Sequence, residues 1–270
     1  MRKAKRALEL FVNYYLKRRT PTVVYSMERS GSIVVFESLI AHGEFAITTH
    51  HLDRKKIETG LYSGSAAWAS KNLILKGKKV KIISLVRNPV QSMVSYFARS
   101  AYLDYAHGKN EKAYSSGSES SETLSQRFTT EFLEKRQHYH HLQWFDDEFK
   151  SALGVDVYRY GFDKNNGHVR FEETPYEVLI LRTDIEDSQK SQIVSDFLGL
   201  ADFSLLATTL STGAAHGTPG DLSPYAEKYK ALKQNLTIPE EYLGEILESK
   251  YATHFFEQDT LDATRQQFQS

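Results

Sequence analysis

Val24-Tyr25-Ser26-Met27-Glu28-Arg29-Ser30-Gly31-Ser32-Ile33 joins an apolar strand to a helix through a short glycine turn. Thr22 to Met27 follows a proline and reads as a buried strand, because β-branched and aromatic residues suit a packed pleated surface. Gly31 lets the backbone turn sharply, so successive N–H groups can converge on an anion at the start of the next helix. Arg29 adds a cation, and the hydroxyls of Ser30 and Ser32 add neutral donors. The stretch is an anion cradle in design. It is not a Walker A loop, since the first glycine and the Gly-Lys-Ser/Thr ending are both missing. Turns of Arg-Ser-Gly-Ser composition also occur in proteins that bind no phosphate, so a second anchor is needed.

Outward from this turn, strand and helix signals alternate, which predicts an α/β domain with a mainly parallel central sheet flanked by helices. Ile33 to Ala41 has helical spacing, and Phe45 to Thr49 is a second short strand. Val80-Lys81-Ile82-Ile83-Ser84-Leu85-Val86 is the clearest strand. Asn88 follows it as a helix N-cap, with Pro89 at the first helical position. Phe128 to Phe149 reads as one long helix. Asp156 to Tyr160 and Glu177 to Leu181 read as strands, with a turn at Lys164-Asn165-Asn166-Gly167. Ser188 to Leu198 and Glu240 to Phe256 read as helices. Asp104 to Ser125, centred on a Ser-rich run, is too long for a simple connection; a closing lid and an inert surface insertion both fit.

The 270 residues suffice for one large core, so a single domain over 1–270 is expected. Apolar residues at 40% and charged residues at 25% exclude a wholly disordered chain. Lys+Arg 34 balance Asp+Glu 34, so no global basic field for nucleic acid exists. The lack of cysteine excludes disulfides, thiolate nucleophiles and Cys-ligated zinc, and it suits the reducing cytoplasm, the expected location. Residues 1–20 read as a basic amphipathic helix, in which Arg2, Lys3, Lys5, Arg6, Lys17, Arg18 and Arg19 oppose only Glu9. Its apolar run is too short and too polar to span a bilayer, and no small-residue cleavage site follows it. Such a helix either covers the domain edge or meets anionic lipid or an anionic polymer.

The second anchor is Arg87, at the end of the third strand, with Ser95 eight residues on in the next helix. Val90, Met93, Val94, Phe97 and Ala101 share one helical face, which predicts core, while Ser92, Ser95 and Arg99 fall on the opposite face. Open α/β sheets place ligands at strand carboxyl ends, so Arg87 and the hydroxyls could grip one phosphate.

Together these segments resemble the sulfotransferases that use 3′-phosphoadenosine 5′-phosphosulfate (PAPS). Arg29-Ser30-Gly31-Ser32 is similar to their 5′-phosphosulfate loop. Arg87-Asn88-Pro89-Val90-Gln91-Ser92-Met93-Val94-Ser95-Tyr96 is similar to their 3′-phosphate motif, with the Arg-to-Ser separation kept. Leu181-Arg182-Thr183-Asp184-Ile185, followed by Phe197-Leu198-Gly199, resembles a third segment, and the likeness spans about residues 20–200. Gly154-Val155-Asp156-Val157-Tyr158 with Phe162-Asp163 resembles a bacterial group of capsular polysaccharide synthesis proteins.

The resemblance implies a P-loop NTPase-like sulfotransferase fold, PAPS as co-substrate, adenosine 3′,5′-bisphosphate as product and no required metal. Arg29, Ser30, Gly31, Ser32, Ile33 and Val34 would hold the 5′ end, Arg87 and Ser95 the 3′-phosphate, and Arg182 would lie against adenine. Departures are visible. Ile33 stands where many members have a second hydroxyl, Arg182 replaces a tyrosine, and no Arg-Lys-Gly loop is present; Lys228, Lys230 or Lys233 could substitute. The acceptor that the resemblance suggests is a hydroxyl or amine on a glycan or other cell-surface precursor. Oligomeric state is not encoded in any of these features.

Cytosolic sulfotransferases carry a Lys-Thr-His-Leu segment whose histidine removes the acceptor proton. Here Thr48-Thr49-His50-His51-Leu52 makes His50 the catalytic base expected beside Arg29, with Thr48 where the family lysine stands. Glu28 and Glu37 remain open as alternatives, and His51 is expected to act through packing. His138 and His141 share a helical face without a third ligand, which predicts a solvated helix rather than a metal site. Two other classes stay open. One is a P-loop nucleotide kinase or NTPase; the other is a non-catalytic binder of anionic glycans or membrane surfaces.

Overall fold

The structure is a computed structural model that describes residues 8–60, 64–106, 121–206 and 223–269. Most of the expected 104–125 lid or insertion, and the first seven residues of the expected basic helix, lie outside the described residues. The chain forms two compact units, Met1–Arg87 with Gln143–Ala207, and Asn88–Leu142 with Thr208–Ser270.

The first unit carries a five-stranded sheet: β1 (Thr22–Tyr25), β2 (Ala46–Thr49), β3 (Val80–Val86), β4 (His168–Glu173) and β5 (Tyr176–Arg182), in the order β2-β1-β3-β5-β4. All pairings are parallel except β4 with β5, so the expected mainly parallel α/β sheet is present. Parallel strands covered on both faces must be apolar almost throughout. Accordingly β1 is buried at every position, and β3 at every position but Lys81. On one face Val24, Ile83, Leu85, Leu179 and Leu181 pack with Val35 and Leu39 of the Ser32–Ala41 helix and with Val194 and Phe197 of the Asp187–Leu198 helix. Successive strand residues point to opposite faces. Tyr25 therefore enters the other face, stacking on Phe149 at 5.3 Å and meeting Trp144 edge-on at 5.0 Å.

Three expectations need correction. Asp156 to Tyr160 is no strand: Val157–Arg159 is a 3-10 turn, and the Asp156 carboxylate accepts from Tyr158 N at 3.2 Å. A short acidic side chain that bonds its own backbone two residues on favours a turn over a ladder. β4 was hidden by its polarity, because only Phe171 of His168–Glu173 is buried, as befits an exposed edge. The long helix from Phe128 divides into Phe128–Leu133, His138–Leu142 and Phe145–Lys150, the first and last wound with i→i+5 bonds. Likewise Glu240–Leu247 and Lys250–Phe255 are separate helices, because Ser249 caps the second by accepting from Ala252 N at 3.2 Å.

The second unit is helical. Its Pro89–Ala106 helix starts as expected, with Asn88 Oδ1 accepting from Gln91 N at 3.3 Å and Asn88 Nδ2 donating to Thr264 Oγ1 at 2.8 Å. Val90, Met93, Val94 and Phe97 are buried, the last edge-on to Phe128 at 5.3 Å. Ser92 and Ser95 are buried as well, so this helix is enclosed on more than its apolar stripe.

Candidate functional site

In the sheet unit, β1 has β2 on one side and β3 on the other, so the chain leaves the centre of the sheet in opposite directions after β1 and after β2. The strand order reverses between β1 and β3, and a reversal opens a crevice at the carboxyl ends of the two strands. The cradle follows β1 and Arg87 follows β3. Because β1, β2, β3 and β5 run parallel, the same edge also carries His50 and His51 after β2 and Arg182 at the end of β5. Residues far apart in sequence are collected there by topology alone.

The cradle is held in a conformation that side chains rarely adopt. Arg29 has φ 64° and Gly31 φ 84°, both left-handed. Gly31 is exposed, and it caps the Ser32–Ala41 helix. Its carbonyl accepts from Val34 N at 3.2 Å, so the amides of Ser32 and Ile33 stand ahead of the first intrahelical bond, where an anion is favoured. Ser30 is fully buried and donates to Met27 O at 2.7 Å. Its proton is engaged within the loop, so Ser30 shapes the turn rather than offering the donor expected of it. Arg87 donates from Nη1 to Arg29 O at 3.1 Å, which ties the second anchor to the first.

The two histidines differ in chemistry. His50 Nδ1 lies 2.6 Å from the Ser26 carbonyl and must therefore donate to it, leaving the lone pair on Nε2. Burial lowers its pKa below the ordinary value, against the opposing pull of the Ser26 bond and Glu28. The backbone carbonyl of His50 is fixed by Trp144 Nε1 at 3.3 Å. His51 instead sits between carboxylates, with Nδ1 3.5 Å from Glu148 Oε2 and Nε2 3.9 Å from Glu28 Oε1. Burial works against its charge, but the two carboxylates outweigh it, and its pKa is raised.

Glu148 organises this corner and was missed by sequence reasoning. It is 1% exposed and accepts from Leu52 N at 2.9 Å, Asp53 N at 3.0 Å, Tyr25 OH at 3.1 Å and Lys56 Nζ at 2.6 Å. Burial alone would raise its pKa, yet His51, Lys56 and the two amides bring it down to about 2. The signal was present: Glu148 follows Trp144 and Phe145 at helical spacing, a carboxylate on an apolar face. Lys56 lies in the Arg54–Glu58 helix, which begins where Asp53 accepts from Lys56 N at 3.1 Å. Thr48 Oγ1, at the position of the expected lysine, is buried without a hydrogen-bond partner among the described residues.

Arg182 turns its guanidinium onto Asp184, at 2.8 Å and 3.2 Å, and onto Lys164 O at 3.0 Å. Ser95 belongs to the helical unit and is 2% exposed. In that unit the expectation of a solvated histidine helix fails, since His138 and His141 are both buried. Polar partners make this tolerable. His138 Nε2 lies 3.3 Å from Glu245 Oε2, and His141 Nδ1 lies 3.4 Å from Ser92 Oγ. No cluster of three metal-ligating side chains occurs among the described residues.

Residues 122–257 match the family described as "Putative capsular polysaccharide synthesis protein". The chain belongs to this family. The matched stretch includes Glu148 and Arg182 and begins after the cradle, His50 and Arg87, so membership in the capsular polysaccharide synthesis family and the anion cradle are separate observations. No curated protein and no solved structure matches the chain. Among the described residues no helix is long and apolar enough to cross a membrane.

Proposed function

We propose that this capsular polysaccharide synthesis protein is a sulfotransferase that moves the sulfuryl group of PAPS to a hydroxyl, or an amine, of a glycan or other cell-surface precursor. One observation carries the reading: the Arg87 guanidinium, at the end of β3, is hydrogen-bonded to the backbone of a left-handed anion cradle at the end of β1. PAPS, when bound, supplies a sulfuryl group whose bond to the 5′-phosphate breaks as the acceptor oxygen bonds to sulfur. Arg29 and the amides of Ser32 and Ile33 hold the 5′-phosphosulfate end and stabilise the charge that gathers there. Arg87 reads the 3′-phosphate, which separates PAPS from nucleotides that lack it. Arg182, already neutralised by Asp184, offers the face of its guanidinium to adenine rather than a free charge. His50 Nε2 takes the acceptor proton, because the Ser26 carbonyl fixes its tautomer and burial keeps it neutral. His51, held between Glu148 and Glu28, serves as a local cation.

Isothermal calorimetry with adenosine 3′,5′-bisphosphate, ATP and adenosine 5′-phosphate tests the assignment. The reading requires the bisphosphate to bind about tenfold or more tighter than adenosine 5′-phosphate, the scale of a hydrogen bond to a charged group. Tighter binding of ATP would make the chain a nucleotide kinase or NTPase instead. Binding of none of the three would leave a non-catalytic member of the family.

A further inference from the structure

Among the described residues, the first helix carries large apolar side chains that stay exposed to water. Residues 8–11 continue into the turn Val12–Leu16, in which Lys17 N bonds to Val12 O at 2.9 Å, an i→i+5 spacing. In so wide a turn, residues four and five apart lie above one another. Phe11, Tyr15 and Leu16 therefore share a stripe with Leu8, and Leu8, Phe11 and Leu16 are 63%, 50% and 65% exposed. The inward side is anchored: Leu10 is buried, Tyr14 meets Trp68 edge-on at 5.0 Å, and Tyr14 OH donates to Asn72 O at 3.1 Å.

The same asparagine brings a second feature alongside. Asn72 Oδ1 accepts from Tyr15 OH at 3.0 Å and from Lys76 Nζ at 3.3 Å, so a lysine ammonium stands beside the apolar stripe. Lys76 belongs to the run Leu75-Lys76-Gly77-Lys78-Lys79, exposed throughout and including Leu75 at 52%. Lys17 and Arg18 add exposed charge at the end of the stripe. Within residues 8–20 and 65–80 the sole carboxylate is Glu9.

The geometry points to this face as a docking surface for an anionic lipid bilayer. Apolar side chains enter the boundary between headgroups and acyl chains, while the lysines meet lipid phosphates, the arrangement of an interfacial helix. An anionic polymer would engage the cations yet leave Leu8, Phe11 and Leu16 in water. A second copy of the chain, packed by a two-fold axis, would bring these cations against themselves. The inference is independent of the proposed sulfuryl transfer.

Cosedimentation of the full chain with vesicles of phosphatidylcholine, and of equimolar phosphatidylcholine and phosphatidylglycerol, tests it. Binding to the mixed vesicles, weak binding to the neutral ones and release by high salt are expected. Phe11→Ser with Leu16→Ser, both exposed and so neutral to folding by circular dichroism, should weaken binding about tenfold or more. Lys17→Gln with Arg18→Asn should cost about fivefold per charge; asparagine suits the left-handed backbone at Arg18, whose φ is 56°. No binding to mixed vesicles, or binding untouched by the apolar pair, overturns the proposal. Retention on dextran sulfate without vesicle binding would assign the face to a polymer. A dimer mass that falls to monomer in the apolar pair, again without vesicle binding, would assign it to a second copy.

Discussion

Arg87 donates a guanidinium N–H to the carbonyl of Arg29 at 3.1 Å, so the residue expected to read one phosphate also braces the loop expected to hold the other. The accepting carbonyl belongs to a residue at φ 64°, a conformation that needs such support. In the proposed site, recognition of the two ends of the nucleotide is coupled through that one hydrogen bond.

Removing the side chain should expose that coupling. Arg87→Ala is expected to weaken adenosine 3′,5′-bisphosphate by about 10- to 100-fold, the loss of charge-assisted bonds, and adenosine 5′-phosphate by a smaller factor that reports the slackened loop. Calorimetry on both ligands measures the difference. Equal losses would mean that Arg87 acts on the loop alone.

Gly31→Ala isolates the cradle from the charge. A methyl there would meet Thr183 Cγ2 at an ordinary 3.6 Å, so space is not the obstacle; the backbone at φ 84° is. The variant should lose about 1 kcal/mol in urea unfolding and bind bisphosphate more weakly, because alanine resists the left-handed region.

His50→Ala should leave nucleotide affinity almost intact while lowering turnover by about 100-fold or more, the scale of general-base removal. His51→Ala should cost much less. The pH profile carries a second signature. His50 is held below its ordinary 6.5, so the rate should stay level down past 6.5 and fall only at more acid pH, as the imidazole takes up its proton. If the acid limb survives in His50→Ala, the base is another group.

Glu148→Gln addresses stability. The carboxylate is depressed from 4.5 to about 2, so it contributes stability that is fully present above 4.5 and lost as pH falls from there toward about 2. At neutral pH the variant should lose about 2 kcal/mol, the scale of a buried charge-assisted network left short of its acceptor. In chemical denaturation the gap between wild type and variant should narrow as pH falls toward 2. A constant gap would mean that packing, not charge, is what Gln disturbs.

Much of the frame could be read from the chain itself. The apolar runs at β1, β3 and β5, the glycine turn after Tyr25, and the cap at Asn88 are local signals, set by steric preference and by backbone groups that need nearby partners. The positions of Arg29, His50 and Arg87 were legible for the same reason, each lying in the connection that follows a strand. β4 was not, because an edge strand needs apolar contact on few positions and its pattern fades.

What the tertiary structure alone decided is who meets whom. The reversal of strand order between β1 and β3 gathers the strand ends, and that depends on which strands pair. Glu148 lies more than ninety positions from His51, Leu52, Asp53 and Lys56, and it reaches them only when Phe145–Lys150 packs where Tyr25, Trp144 and Phe149 fill the sheet face. Serines on the Pro89–Ala106 helix read as a polar face from spacing, yet they are buried, because a side chain's surroundings are set by neighbours that a local pattern does not name. Local preference acts over a few residues; burial and ion pairing are properties of the whole packed chain.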